Sequence, residues 1–312
     1  MPLVTKKKHE GKTSNPELKM TSSNIFISTT CLKPDIFTSG IPEGVRGVEF
    51  SGGFTYRPVD DFRNLIRKLK ASGINVLIHG YFPPQEKSFI LNFASKDNKV
   101  VKQSLSLAGT ALSVCAEFGI PYYSFHPGYM ANGYEDGKGN FVFDKTGITE
   151  YADALSLFRT NFEKIYELSK KHGVRLAVEN LFINRGNVKD SLNNSFEEID
   201  ELMSLLPADV GLLLDFGHMN VSANYMNFSR DGFTSRYLEK FGQRLFEIHL
   251  SENNGDFDTH DPLTAESWQL DALKKFRSSP GATGKGINVT LESRKIDDDL
   301  ILKIHGMIEK AF

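Results

Sequence analysis

Six short apolar runs in this chain each end on a histidine or a carboxylate, and that recurrence restricts its folding more than any other feature. They run from Asn75 to His79, Pro121 to His126, Val174 to Glu179, Val210 to Asp215, Arg244 to His249 and Ile287 to Glu292. The fourth, Val-Gly-Leu-Leu-Leu-Asp, is apolar throughout up to Asp215, and His218 follows three positions later. A continuous apolar run, unlike an alternating one, belongs to a strand buried on both faces, as in a parallel sheet wrapped by helices. Ionisable groups at one end of such strands stand where parallel α/β folds hold their chemistry.

Between these runs the apolar spacing turns helical. Phe62, Leu65, Ile66 and Leu69 mark a helix over residues 59–71 that Gly73 terminates. Further helices are predicted over residues 98–118, closed by Gly119, over 150–171, closed by Gly173, and over 297–310. Another over residues 195–206 begins with Ser195 as N-cap and two glutamates in its first turn. Two more strand candidates, residues 24–30 and 45–50, precede the six. The stretch between them, residues 31–44, holds two prolines and two glycines and can supply only a short, irregular crossover.

Eight strands alternating with helical segments predict one α/β domain, a single (β/α)8 TIM barrel over residues 23–312. The polar, aperiodic residues 1–22 are expected to form a flexible extension. Residues 129–149, rich in Gly, Asn and Asp, are expected to form a long loop suited to a substrate lid.

Composition narrows the partners. Net charge is −2 with a pI near 6.5, so no global basic field draws in nucleic acid. No stretch approaches the ~18 apolar residues of a membrane span, and the basic start at Lys6 to Lys8 has no apolar segment after it, unlike a secretory signal. Cys31 and Cys115 lack metal-ligand spacing, which points to a reducing, cytoplasmic setting. A homo-oligomer stays open, because the exposed faces of outer helices cannot be told from core by pattern.

The strand ends supply His79, His126, Glu179, Asp215, His249 and Glu292 in turn. His218 lies just beyond Asp215, and Asp258-Thr-His260 adds a carboxylate and an imidazole after the seventh strand. A mixed set of this kind suits Zn2+, Mn2+ or Fe2+ better than Ca2+ or Mg2+, which prefer oxygen shells. Nine potential ligands exceed the needs of one ion, so one to three ions per chain are expected, with Glu179 placed to bridge two. Glu49, Tyr81, Arg185 and Arg294 are candidate substrate contacts: Glu49 near a strand end, Tyr81 in a rim loop, and the two arginines as holders of an anionic group. Neither a P-loop, a dinucleotide fingerprint nor a nucleophilic serine elbow occurs.

Taken in order, Ile78-His79-Gly-Tyr, Phe125-His126-Pro-Gly, Val178-Glu179-Asn180, Leu214-Asp215-Phe-Gly-His218, Ile248-His249-Leu-Ser and Leu291-Glu292-Ser resemble the xylose-isomerase-like barrel superfamily over roughly residues 24–312. That superfamily contains sugar and sugar-phosphate isomerases and epimerases, and the endonuclease IV type of abasic-site nuclease.

For the epimerase branch the resemblance implies one Zn2+ or Mn2+ ion on Glu179, Asp215, His249 and Glu292. The two glutamates would shuttle a proton beside the carbonyl of a carbohydrate through a metal-bound enediolate. For the nuclease branch it implies three zinc ions on all nine residues and a phosphodiester substrate. Ile90-Leu-Asn-Phe-Ala-Ser also resembles the nuclease segment after the first histidine. The loop from His249 to Asp258 is acidic and carries no Arg or Lys, which weighs against a nucleic-acid partner, while the nine-residue set keeps one open. A sugar isomerase or epimerase is the leading expectation, with a zinc phosphodiesterase as its alternative.

Overall fold

In a computed structural model of the chain, eight parallel strands close into a barrel, as the alternation of apolar runs and helical spacing requires. The structure describes residues 24–312 apart from 34, 136–140, 145–146, 184–189, 278–285 and 295. The predicted flexible extension, residues 1–22, therefore lies outside the described residues. In chain order the strands are β1 (Ile25–Ser28), β2 (Gly47–Phe50), β3 (Asn75–His79), β4 (Tyr122–Phe125), β5 (Gly133–Glu135), β6 (Phe141–Phe143), β7 (Arg175–Glu179), β8 (Gly211–Asp215), β9 (Leu245–Leu250) and β10 (Asn288–Leu291). All but β5 and β6 belong to the barrel, which β10 closes by pairing with β1. Nearly every barrel-strand residue is buried, because side chains point alternately into the barrel and toward the helical layer.

After a one-turn α1 (Ile36–Ser39) in the irregular crossover, the outer layer is formed chiefly by α2 (Val59–Ala71), α3 (Asn98–Phe118), α4 (Tyr151–His172), α5 (Phe196–Ser204), α6 (Phe216–Met226), α7 (Arg230–Phe241), α8 (Trp268–Phe276) and α9 (Asp298–Ala311). Gly119 and Gly173 end α3 and α4 in the left-handed region, where glycine carries no Cβ penalty. Ser195 caps α5 by accepting from the Glu198 amide at 3.2 Å, and the Glu198 carboxylate accepts in turn from the Asn194 amide at 2.9 Å.

Besides the one-turn α1, three helices, α6, α7 and α8, were not anticipated. All eight residues from Phe216 to Ala223 in α6 are buried, so that helix has no polar face to mark a helical period. Its neighbours α7 and α8 follow polar or loop-like sequence.

The expected long loop at residues 129–149 is corrected by the structure. It carries the antiparallel hairpin of β5 and β6, whose tip at 136–140 lies outside the described residues. Phe141 and Phe143 anchor it beside Tyr129, Ala131, Ile90 and Leu181, a small apolar cluster separate from the main core.

Register decides where the chemistry gathers. His79 pairs with Ser124, and His249 pairs with Asp215 on one side and Thr290 on the other. The ionisable ends of neighbouring strands are thereby set at one level of one barrel face.

Candidate metal centre

Glu179 stands at the centre of this face. Fully buried at the end of β7, its carboxylate lies 3.2 Å from His79 Nε2, 3.0 Å from His126 Nε2 and 3.2 Å from His218 Nδ1. None of the three is aligned to donate a hydrogen bond to it. Burial works to raise the carboxyl, but the surrounding histidines outweigh it and hold the group well below its usual range.

Four groups of potential ligand atoms form among the described residues: His79, His126 and Glu179; Glu179, Asp215 and His249; His218, Asp258 and His260; and Glu49, His79 and His249. Within each group the atoms lie within 4.8 Å of one another. Glu292 joins the second group, 3.0 Å from His249 Nδ1, and Asp215 Oδ2 lies 3.8 Å from the same nitrogen. In the third, Asp258 Oδ2 is 2.7 Å from His260 Nε2 and 3.4 Å from His218 Nε2.

The donor set fits divalent cations. Both Glu179 oxygens, Asp215 Oδ2 and Asp258 Oδ1 are buried without a hydrogen-bond partner. A cation satisfies lone pairs that would otherwise be costly to bury.

Each imidazole is also steered by its other nitrogen. His79 Nδ1 meets Ser124 Oγ at 3.1 Å, and His126 Nδ1 meets the Tyr129 hydroxyl at 3.2 Å. His218 Nδ1 donates to the Asn180 carbonyl at 2.8 Å, and His260 Nδ1 to the Glu292 carbonyl at 2.8 Å. His249 Nε2 lies 3.1 Å from Glu49 Oε2. Such outer partners fix ring orientation and leave the opposite nitrogen for a metal.

Local backbone supports the same end. Asp215 caps α6, its Oδ1 accepting from the His218 amide at 2.6 Å, while Asn180 pairs with both the amide and the carbonyl of Asp215. His260 adopts a positive φ of 53°, sparsely populated by side-chain-bearing residues. Its carbonyl accepts from the Arg294 amide at 2.9 Å, and paired backbone bonds between Glu252 and Asp261 close the loop that carries it.

All nine candidate ligands thus come together on one rim. The substrate contacts divide. Tyr81 and Arg294 line the open cavity above the ligands. Arg185 lies outside the described residues. Glu49 is fully buried and absent from the described lining of that cavity; its carboxylate lies 3.1 Å from His249 Nε2 and joins His79 and His249 in a group of potential ligand atoms.

Ser124, Asn180 and Glu247 were missed as supporting residues. Glu247 had a readable signal, since it lies two residues before His249 on one strand and must face the same way. Inside the barrel its carboxylate accepts from Thr290 and from the Tyr122 hydroxyl, the latter at 3.1 Å.

The cavity over the ligands measures about 400 Å3, and its walls include Tyr129, Phe141, Phe143, Phe182 and Phe257. Arg294 is the one Arg or Lys among its described lining residues. No helix among the described residues is long and apolar enough to cross a membrane.

Comparison with known proteins agrees with this architecture. A probable endonuclease 4 of Aquifex aeolicus is 26% identical over 174 residues, 53% of this chain and 52% of that protein, so the match spans about half of the relative. A solved D-tagatose 3-epimerase-like protein superposes with a TM-score of 0.68 at 18% identity, covering 92% of this chain and 98% of the other. Endonuclease IV from Thermus thermophilus superposes with a TM-score of 0.56 at 17% identity, covering 92% and 99%. At these identities the structural likeness is one of fold. The family model for the xylose isomerase-like TIM barrel matches residues 43–302, and the chain belongs to that family.

Proposed function

We propose that this protein is a multinuclear, divalent-metal-dependent hydrolase of a small phosphate ester. The observation that carries the reading is the position of Glu179, shared between two of the four ligand groups and 3.2 Å from His218 of another. A carboxylate within 3.2 Å of three imidazole nitrogens is well placed to bridge cations.

Bound zinc or manganese would polarise a phosphoryl oxygen and supply hydroxide near neutral pH. His79 and His126 would hold one ion with Glu179. Asp215, His249 and Glu292 would hold a second with the same glutamate, and His218, Asp258 and His260 a third. Arg294 on the rim would meet the anionic ester. With one cation among the described lining residues, the cavity suits a compact ester better than an extended nucleic-acid backbone.

The second reading, metal-dependent sugar epimerisation with Glu179 and Glu292 as the acid–base pair, draws support from the aromatic walls, against which a sugar ring packs well. Metal analysis and two assays separate the readings. The hydrolase reading expects two to three ions per chain and turnover of bis(p-nitrophenyl) phosphate that falls at least a hundredfold in Glu179→Gln. One ion per chain, with ketose protons exchanging into D2O and no phosphodiester turnover, would replace it with the epimerase.

A further inference from the structure

The mouth of the barrel has a second chamber. Beside the cavity over the metal ligands lies another of about 420 Å3, and the two share Thr30, Ser51, Gly52, Tyr81, Phe141 and Arg294. None of the nine candidate ligands lines the second chamber. Its volume falls within the range of small-molecule sites, and it meets the ligand cavity across the shared boundary.

Resting on the hydrolase reading, we propose that this side chamber is a subsite for an uncharged, planar aromatic arm of the phosphate ester. The walls make the case. Phe54, Phe89, Leu107 and the rings of Tyr81 and Phe141 form an apolar enclosure. Phe54 is held edge-on by Phe50 at 5.5 Å and Phe62 at 5.0 Å, so its ring is a fixed surface. Tyr81 and Phe141 stand 5.5 Å apart on the boundary. Rigid aromatic walls favour a flat ring, which gains edge or stacking contacts without ordering the protein further.

The backbone contributes as well. Gly53 adopts a φ of 79°, and a Cβ there would come within 2.8 Å of the Thr29 carbonyl oxygen. The loop can therefore lie close against the end of the first strand only with glycine at that position.

Charge completes the argument. No carboxylate lines the chamber among the described residues, and Arg294 sits on the shared boundary. An anionic phosphate is matched at the boundary, and the arm beyond it meets only neutral groups, with Gln85 and Ser88 available to hydrogen-bond its edge.

The test is equilibrium binding to the full-length, zinc-loaded protein by calorimetry, with inorganic phosphate, methyl phosphate and phenyl phosphate as probes. Phenyl phosphate should bind about tenfold more tightly than methyl phosphate, as contacts with fixed aromatic rings allow. Phe54→Ala should abolish that preference and Phe54→Leu, which keeps apolar volume and the fold, should reduce it, with inorganic phosphate affinity unchanged. Equal affinity for the two esters, or a preference that both variants leave intact, overturns the subsite. If none of the phosphates binds, the hydrolase reading fails. The chamber is then judged by phenyl against methyl glucoside, and no aryl preference there overturns it too.

Discussion

At the scale of single residues, Glu49 shows how burial changes a role. A glutamate near a strand end looks like a substrate contact, yet Glu49 is fully buried, lines no described part of the cavity and lies 3.1 Å from His249 Nε2. Burial pushes its carboxyl well above the usual range, and His249 opposes that shift. In the proposed site it would hold the ring of a candidate metal ligand, His249. Glu49→Ala should lower zinc affinity about 10- to 100-fold, the usual cost of losing such a partner. Glu49→Gln, which keeps an acceptor toward Nε2, should lose less. Competition with a chromogenic chelator measures both, and affinity unchanged in Glu49→Ala would remove this role.

At the scale of elements, the loop after β4 is shaped from a distance. Gly128, two residues past His126, has a φ of 139°, and a Cβ there would fall 2.5 Å from Asn92 Oδ1. Asn92 is buried and clamps the loop, accepting from the amides of Tyr129 and Ala94 at 2.9 Å each and donating to the Tyr129 carbonyl at 2.9 Å. This gives a physical reason for the segment from Ile90 to Ser95, which sequence reading could match only by resemblance. Asn92→Ala removes three buried hydrogen bonds and should cost about 2–4 kcal/mol. Urea unfolding of the metal-free chain reports that loss, and a change below about 0.5 kcal/mol would show the clamp to be dispensable.

At the scale of the whole molecule, the barrel mouth is a balance of charge that ions would complete. Without metal, burial works to lower both His260 and His79. For His260 the Asp258 carboxylate outweighs it and raises the value to about 9, while His79 falls to about 4 despite its Glu179 partner. His260 is therefore protonated at neutral pH in the metal-free chain. Its folded value lies above the ~6.5 of an unfolded histidine. That pairing contributes fully below about pH 6.5 and is lost as pH rises through 9, worth up to about 3 kcal/mol. Metal binding works in the opposite direction, because it displaces those protons and tightens as pH rises. Metal-free protein should thus lose stability between about pH 7 and 9.5, while zinc-loaded protein should hold or gain it. Unfolding curves across that range, with chelator and with excess zinc, check the prediction, and parallel losses would refute it.

Much of this architecture could be read directly from the chain. Eight strands and most of the helices were legible because a parallel barrel buries its strands on both faces, leaving runs such as Leu212 to Asp215 apolar to their last residue. Helix α6 was not legible, because its first eight residues are all buried and show no periodicity. Sequence order also could not reveal that Glu179 meets three histidines, that Glu49 is buried against His249, or that Phe54 and Phe141 line a second chamber. Those facts depend on register and on side chains from distant strands converging, and only the closed tertiary structure determines either.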